Sequence, residues 1–423
     1  MTKNKVILTT VILTLVAGLL FANFAGNEKK VETDIPHLYA TEDPQFMRSM
    51  GMMLGPAILD GNKAQELING DQIFPAMIEA IRSAKKTVLF ETYIYWSGDI
   101  GNEFADALAD RAKNGVKCHV LLDWLGSAKA DAALIKKMTD AGVEVEKYHP
   151  LRWYNLGRMN NRTHRKLLIV DGVVGFTGGV GIAPEWTGHG QDPDHWRDSH
   201  FRIEGPVVAQ MQSVMLDNWA KTTGRVLHGA DYFPPLKPVG TQSAQVFSSS
   251  PNGGSESMLM MYLLAITAAT KSIDLSSAYF VPDEITRNAI VAALKRGVKV
   301  RIITPGAHID AETVRHASRG LWGPILEAGA EMYEYQPTMY HVKAMIVDDI
   351  LTSVGSTNFD VRSFRLNDEA NLNIYDRAFA QRQTQVFEQD LKRSKRITYE
   401  SWLARPLWAK ANERFLALFG SLL

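Results

Sequence analysis

Residues 163–172 read THRKLLIVDG, and residues 340–349 read YHVKAMIVDD. Each stretch sets a histidine, a lysine two residues on, four apolar residues and an aspartate, so His164, Lys166 and Asp171 recur as His341, Lys343 and Asp348. In an extended chain, residues two apart share a face. His164 and Lys166 therefore point together, lining a cleft, while Leu167 and Ile169 point the other way into a core. One such spacing describes a solvated strand end. Two copies at equivalent places point to chemistry.

The surrounding chain repeats as well. AIRSAKKTVLFETYIYW from Ala80 and AITAATKSIDLSSAYFV from Ala265 both read as a helix end followed by a strand. ADRAKNGVKCHVLLD from Ala109 matches VAALKRGVKVRIITP from Val291, and AGVEVEKYHP from Ala141 matches AGAEMYEYQP from Ala328. Strands alternating with helical patterns, duplicated at this length, predict two similar α/β halves with mixed sheets flanked by helices, forming one bilobed body. The joint falls in HGADYFPPLKPVGTQ, where prolines and glycines interrupt the periodicity. The expected organisation is a membrane segment at 1–26, a linker and N-terminal extension at 27–64, a first half at 65–236 and a second half with a C-terminal helix at 237–423.

Lysine plus arginine equals aspartate plus glutamate at 46 each in the 423 residues, so the charge balance supplies no basic footprint for nucleic acid. Cys118 is the only cysteine, which excludes an intramolecular disulfide. The amino end carries Lys3 and Lys5, then an apolar, uncharged run from Val6 to Phe24. As a helix it measures about 28 Å, close to the hydrocarbon thickness of a bilayer. The expectation is an uncleaved N-terminal transmembrane anchor, with the amino end inside and the catalytic part on the extracytoplasmic, periplasmic side.

Two histidines and two lysines suit displacement at phosphorus. The attacking and leaving groups lie on opposite sides of the phosphorus atom, so one imidazole cannot both attack and protonate the departing oxygen. Two facing rings can, one neutral and the other protonated, because histidine titrates near neutrality. Two lysines would neutralise the non-bridging oxygens without a divalent ion, so no metal and no cofactor is expected. Each ring needs an acceptor on its other nitrogen. Glu369, 28 residues after His341, and Asp198, 34 after His164, are the orienting candidates, with Asp368 and Asp192 as alternatives. Glycine turns follow both motifs, GGVG at 178–181 and GSTN at 355–358, letting backbone at Gly179 and Ser356 approach a phosphate. His189, Asp192, Asp194 and His195 lie in a polar loop whose spacing nothing fixes, and are read as that rather than as a metal site.

These residues together resemble the phospholipase D superfamily, with its paired H-x-K-x4-D-x6-G-[GS] motifs, and within it the cardiolipin-synthase-like bacterial branch. WRDSHFRIEGPVV and HVKAMIVDDILTSVGSTNFDVRSFRLNDEANL carry the branch likeness, which covers about residues 65 to 410. The resemblance implies an active site between the halves and a phosphohistidine intermediate, with His164 as nucleophile and His341 as general acid and then base. It also implies that Lys166, Lys343 and Asn358 bind phosphate, while Asp171 and Asp348 hold the motif loops and lysines. Where the family has asparagine in both glycine turns, this chain has Asn358 in the second and Gly181 in the first.

The implied reaction moves a phosphatidyl group from one phospholipid, phosphatidylglycerol, to a hydroxyl of another. Hydrolysis to phosphatidic acid and nucleic-acid cleavage are the alternatives. The expected partners are phospholipid and membrane, not nucleic acid. The first half carries extra residues before His164, with Trp153, Tyr154, Leu156 and Met159 beside Arg152, Arg158 and Arg162, a composition suited to anionic headgroups. The C-terminal stretch with Trp402, Trp408, Phe415 and Phe419 reads as a docked amphipathic helix.

Overall fold

A computed structural model describes residues 3–24, 31, 33–150, 161–251 and 256–420. The two halves share one 16-stranded mixed sheet. In each half a parallel trio of strands continues into an antiparallel pair that carries the repeated motif. Thr87–Thr92, Lys117–Asp123 and Glu144–Tyr148 form the first trio, and Ser272–Ser277, Lys299–Pro305 and Glu331–Tyr335 the second. The motif strands Leu167–Val170 and Lys343–Val347 pair antiparallel with the first strand of their trio. At the centre, Asn367–Tyr375 of the second half pairs with Gln242–Ser249, which pairs with Leu59–Ile68, which pairs with Ser199–Glu204 of the first.

Three cores result. Amphipathic helices Asn69–Ser83 and Asp99–Lys113 cover the outer face of the first half. The helix Ser257–Ala268, apolar nearly all round, sits inside the outer core of the second. It can be so because a further layer covers it: Phe46 and Met50 of the helix Pro44–Met53 are buried in that same core. The extension before Leu59 thus packs on the second half of the chain. Between the halves lies a third core, where Leu167 and Ile169 meet Ala344 and Ile346 across the interface. The outward-facing residues of the same strand, Leu168 and Val170, are buried too, under the outer helices. Both faces of the motif strand are covered, and only its histidine end reaches the cleft.

The motif aspartates do not reach it. Asp171 and Gly172 adopt left-handed backbone (φ 52° and 66°), as do Asp348 and Asp349 (φ 54° and 52°), turning the chain tightly between the paired residues Val170 and Val174 and, in the second half, Val347 and Leu351. From that turn the Asp171 carboxylate accepts the backbone N–H groups of Lys85, Lys86 and Thr87, at 2.7–3.1 Å. Asp348 accepts those of Thr270, Lys271 and Ser272, and the hydroxyl of Thr41 at 2.6 Å. Each aspartate therefore pins the loop that launches the first strand of its trio. It stands about 16 Å along the chain from its lysine, at the strand's rise per residue. The resemblance implied contact with the motif loops and lysines; the structure gives the loops alone.

The N-terminal residues Lys3–Phe24 form a helix, with exposed apolar side chains such as Leu8 and Leu13 over the portion described to Gly18. That portion measures about 24 Å, and among the described residues no helix is long and apolar enough to cross a membrane. The helices Tyr399–Leu403 and Leu407–Ala417 dock on the second half. The Trp402 indole donates to the Arg319 carbonyl at 2.8 Å, and Glu413 pairs with Arg405 at 3.0 Å.

Asp171→Ala and Asp348→Ala each strand three backbone donors, and each substitution is expected to lower the unfolding free energy by about 2–4 kcal/mol. Chemical denaturation followed by circular dichroism measures it; an unchanged midpoint would refute the anchoring role.

A candidate active site where the halves exchange acids

The segment Arg162–Thr163 pairs in parallel with Asn367 and Asp368 of the second half, and the His164 N–H donates to the Asp368 carbonyl at 2.9 Å. On the other side the arrangement repeats: Arg197 bridges Tyr340, and the His341 N–H donates to the Arg197 carbonyl at 2.8 Å. Each histidine is therefore stitched beside the acid-bearing strand of the opposite half. His164 Nδ1 lies 2.9 Å from Glu369, and His341 Nδ1 lies 2.7 Å from Asp198. Counting along the chain puts each acid with the histidine of its own half. The structure crosses them.

Burial sets the charge states. It pulls the His164 ring down to about 4 and the His341 ring to about 3, so both are neutral in the empty site. Near neutrality the two rings would share one proton readily, as the free imidazole pKa suggests; in this interior they do not. Glu369 and Asp198 are held ionised against their own burial by the histidine and lysine beside them. A neutral ring whose Nδ1–H donates to a carboxylate presents its Nε2 lone pair to the cleft.

Lys166 Nζ donates to the His164 carbonyl at 2.7 Å, and Lys343 Nζ to the His341 carbonyl at 2.6 Å. Burial lowers Lys166 to about 7 and Lys343 to about 8.

The turn residues divide by task. A Cβ on Gly179 would stand 2.3 Å from an Asp198 carboxylate oxygen, so the absent side chain is what lets that acid pass beneath the turn. At the equivalent place Ser356 donates its hydroxyl to Glu369. Both were read as phosphate contacts; both instead support the orienting acids. Asn358 lines the cavity, and its Oδ1 has no hydrogen-bond partner among the described residues. Of the alternatives, Asp368 accepts from Tyr148 at 2.8 Å beneath the site and Asp192 pairs with His195 at 2.7 Å in its polar loop. Among the described residues no cluster of His, Cys, Asp or Glu could hold a metal ion. The residues 151–160, which include Trp153, Tyr154, Leu156 and Met159, lie outside the described part.

Several contributors were not read from the sequence. Trp186 donates its indole N–H to Asp198 at 2.9 Å, and Trp186 and Trp196 stand 5.2 and 5.4 Å from the His341 ring. Tyr93 stands 5.3 Å from His164. Arg165, fully buried behind the first histidine, donates to carbonyls of Val214 and Ser249. Arg197, behind the second, forks onto Asp390 at 2.8 and 3.0 Å. Arginines flanking the motifs in THRK and WRDSH were the available signal.

These side chains open onto a cavity of about 360 Å³ lined from both halves. Two neutral imidazoles and Lys166 on one cavity, with Lys343 against His341 just behind its wall, define a site for phosphodiester transfer through a histidine. The family model for the phospholipase D-like domain of cardiolipin synthase matches residues 77–210 and 262–391, and the chain belongs to that family. The major cardiolipin synthase ClsA of Bacillus subtilis (strain 168) is 34% identical over 389 residues, covering 91% of this chain and 80% of that protein. Cardiolipin synthase 1 of Bacillus cereus is 35% identical over 379 residues, covering 87% and 74%. In fold, the chain is similar to a crystal structure of phosphatidylserine synthase from Haemophilus influenzae Rd KW20, with a TM-score of 0.69 at 15% identity over 90% of this chain and 100% of that one.

The lysines must be charged to hold a phosphate, and their charge is lost as pH rises through about 7 for Lys166 and about 8 for Lys343. The rings need only stay above about 4 to remain neutral. Accordingly, kcat/KM for a phosphodiester is expected to decline with rising pH from an alkaline limb that begins between pH 7 and 8. A pH–rate profile measures this, and activity that climbs steadily to pH 10 would contradict it.

Proposed function

We propose that this chain is a membrane-associated phosphatidyltransferase of the cardiolipin synthase type, joining two molecules of phosphatidylglycerol and releasing glycerol. The crossed histidine–acid pairs facing one cavity carry the chemical part of this reading. The relatives' activity, at about a third identity over most of the chain, carries the substrate.

In the first step His164 Nε2 attacks the donor's phosphorus, and the bond from phosphorus to the headgroup oxygen breaks. His341 gives that oxygen its proton, and glycerol leaves. Burial keeps His341 neutral while the site is empty, so protonation accompanies the arrival of the anionic phosphodiester, whose charge adds to that of Asp198. In the second step the hydroxyl of another phosphatidylglycerol attacks the phosphohistidine and returns its proton to His341. The phosphorus–nitrogen bond breaks, and both rings regain their starting states. Lys166, Lys343 and Asn358 hold the non-bridging oxygens in both steps.

The substrate is a lipid, which calls for a membrane contact. The apolar run from Val6 to Phe24 serves as the anchor, leaving the catalytic body on the extracytoplasmic side. A second contact is the outer face of the docked C-terminal helices, where Leu407, Trp408 and Leu418 are 82%, 73% and 78% exposed.

Purified full-length chain, incubated with phosphatidylglycerol in mixed micelles and followed by lipid mass spectrometry, is expected to yield cardiolipin and glycerol in equal amounts. His164→Ala and His341→Ala should each reduce the rate by at least about a thousandfold. Because lysines neutralise the phosphate, excess EDTA should leave the rate unchanged. Phosphatidic acid as the dominant product would favour hydrolysis, and loss of activity in EDTA would sink the metal-free route.

A further inference from the structure

The extension ahead of Leu59 is laid along the helix Ser257–Ala268 in one direction. At the start of that helix the Val31 N–H donates to the Glu256 carboxylate at 3.0 Å. At its end the His37 ring donates to the Thr267 carbonyl at 2.7 Å, and the Thr41 N–H to the Ala268 carbonyl at 3.1 Å. Val31, Ile35 and Tyr39 pack on the outer core of the second half along the way. The Thr41 hydroxyl then reaches Asp348, at the end of the motif strand remote from the cavity. A helix of 12 residues is about 18 Å long, so this strap begins and finishes at opposite ends of the body.

Val31 is at the cavity end. Glu256, which accepts its N–H, also accepts the Arg365 guanidinium, and Arg365 stands 3.5 Å from Asp283. Arg365 closes the short helix Val361–Arg365, whose Ser363 lines the cavity. Asp283 follows the segment Phe280–Val281, which pairs with Phe359–Asp360; Tyr279 and Asp360 at that pairing line the cavity as well. Apolar packing explains why the strap adheres. It does not call for a carboxylate and a guanidinium gathered at the strap's first residue, and that clamp fixes where the chain leaves the body.

Ahead of the clamp lies the apolar run that ends at Phe24. Seven residue steps separate Phe24 from Val31, and they span at most about 25 Å. An anchor in a bilayer therefore keeps this end of the body close to the membrane surface and the Asp348 end away from it. A second feature falls on the same end. A Cβ on Gly420 would stand 3.0 Å from the Val281 side chain, so the end of the C-terminal helices rests beside the cavity rim. Phe415, Leu418 and Phe419, just before it, are large, apolar and exposed.

We propose that the strap from Val31 to Thr41 is an orienting tether. Clamped by Glu256 and Arg365, it turns the cavity end of the body, with Phe415, Leu418 and Phe419 alongside, onto the surface of a phospholipid bilayer; this rests on the anchor reading above. The aromatic and aliphatic side chains enter the interface, and the tether sets which end of the body they bring to it.

The test compares the rate at which full-length chain consumes phosphatidylglycerol in vesicles of phosphatidylglycerol and phosphatidylcholine with the rate in mixed micelles, where no bilayer plane imposes an orientation. Two variants loosen the tether at different places. E256A removes the clamp, and about twenty glycine and serine residues inserted after Asn27 add about 25 Å of reach without touching the body. Each is expected to lose at least fivefold of the vesicle rate while keeping the micelle rate within twofold, which also reports that the variant is folded. Orientation is read from a fluorophore on L418C or on K85C, Lys85 lying beside Asp171 at the far end; the native Cys118 is buried. Brominated lipid is expected to quench the first label strongly and the second hardly at all. Vesicle rates that stay unchanged or fall only in step with micelle rates overturn the tether. So does equal quenching of both labels, or quenching of neither, as when the apolar patch covers a second copy of the chain. Wild-type chain released from vesicles by alkaline carbonate, as a peripheral protein is, refutes the anchor reading itself, before any tether variant is considered.

Discussion

The site depends on two hydrogen bonds that cross between the halves, from His164 to Glu369 and from His341 to Asp198. A neutral imidazole is a useful nucleophile only when one nitrogen is committed, so that the other is reliably unprotonated and aimed. Here the committing acid comes from a distant strand, 205 residues away for His164 and 143 for His341. The carboxylate is placed by backbone pairing of Thr163 with Asp368 and of Arg197 with Tyr340, so histidine and acid are fixed by the same ladder. Either half alone would have a histidine without an acid.

Burial does the remaining electrostatic work. The same desolvation that keeps both rings neutral also brings the lysines near their titration points and is resisted at Glu369 and Asp198 by the cations next to them. The interior is therefore arranged around a charge that arrives with the substrate. Buried arginines behind each histidine, Arg165 on carbonyls and Arg197 on Asp390, brace the backbone that holds the rings. Their contacts reach neighbouring elements, so the rigidity of the site is borrowed from the whole sheet.

The duplicated α/β organisation was legible because it rests on local periodicity and on a short spacing, H-x-K-x4-D, that survives in both halves. The pairing of acids was not, since it depends on which strands become neighbours at the centre of the sheet, and nothing within His164–Asp198 or His341–Glu369 encodes that. The motif aspartates misled for a related reason. Their spacing ties them to the lysines in sequence, but a strand of four or five residues carries them to its far end, where a turn and three backbone donors claim them. Gly179 and Ser356 were located correctly as small residues at a close approach; what approaches is a carboxylate rather than a phosphate. Trp186 and Trp196 had no periodic signal, and only packing against His341 gives them a place.

The shared sheet has a consequence for traffic through the cavity. Enzymes built from two lobes often part them to admit a substrate, and that requires a hinge between bodies that touch only at their surfaces. Here the lobes are joined by antiparallel pairing through Gln242–Ser249 and Leu59–Ile68, with a register shift between Leu59 and Asn62, and again by the stitched segments beside each histidine. Parting them would tear the sheet and strip each ring of its acid in the same motion. A bulky product must instead leave by the same opening through which its precursors came, without the lobes separating.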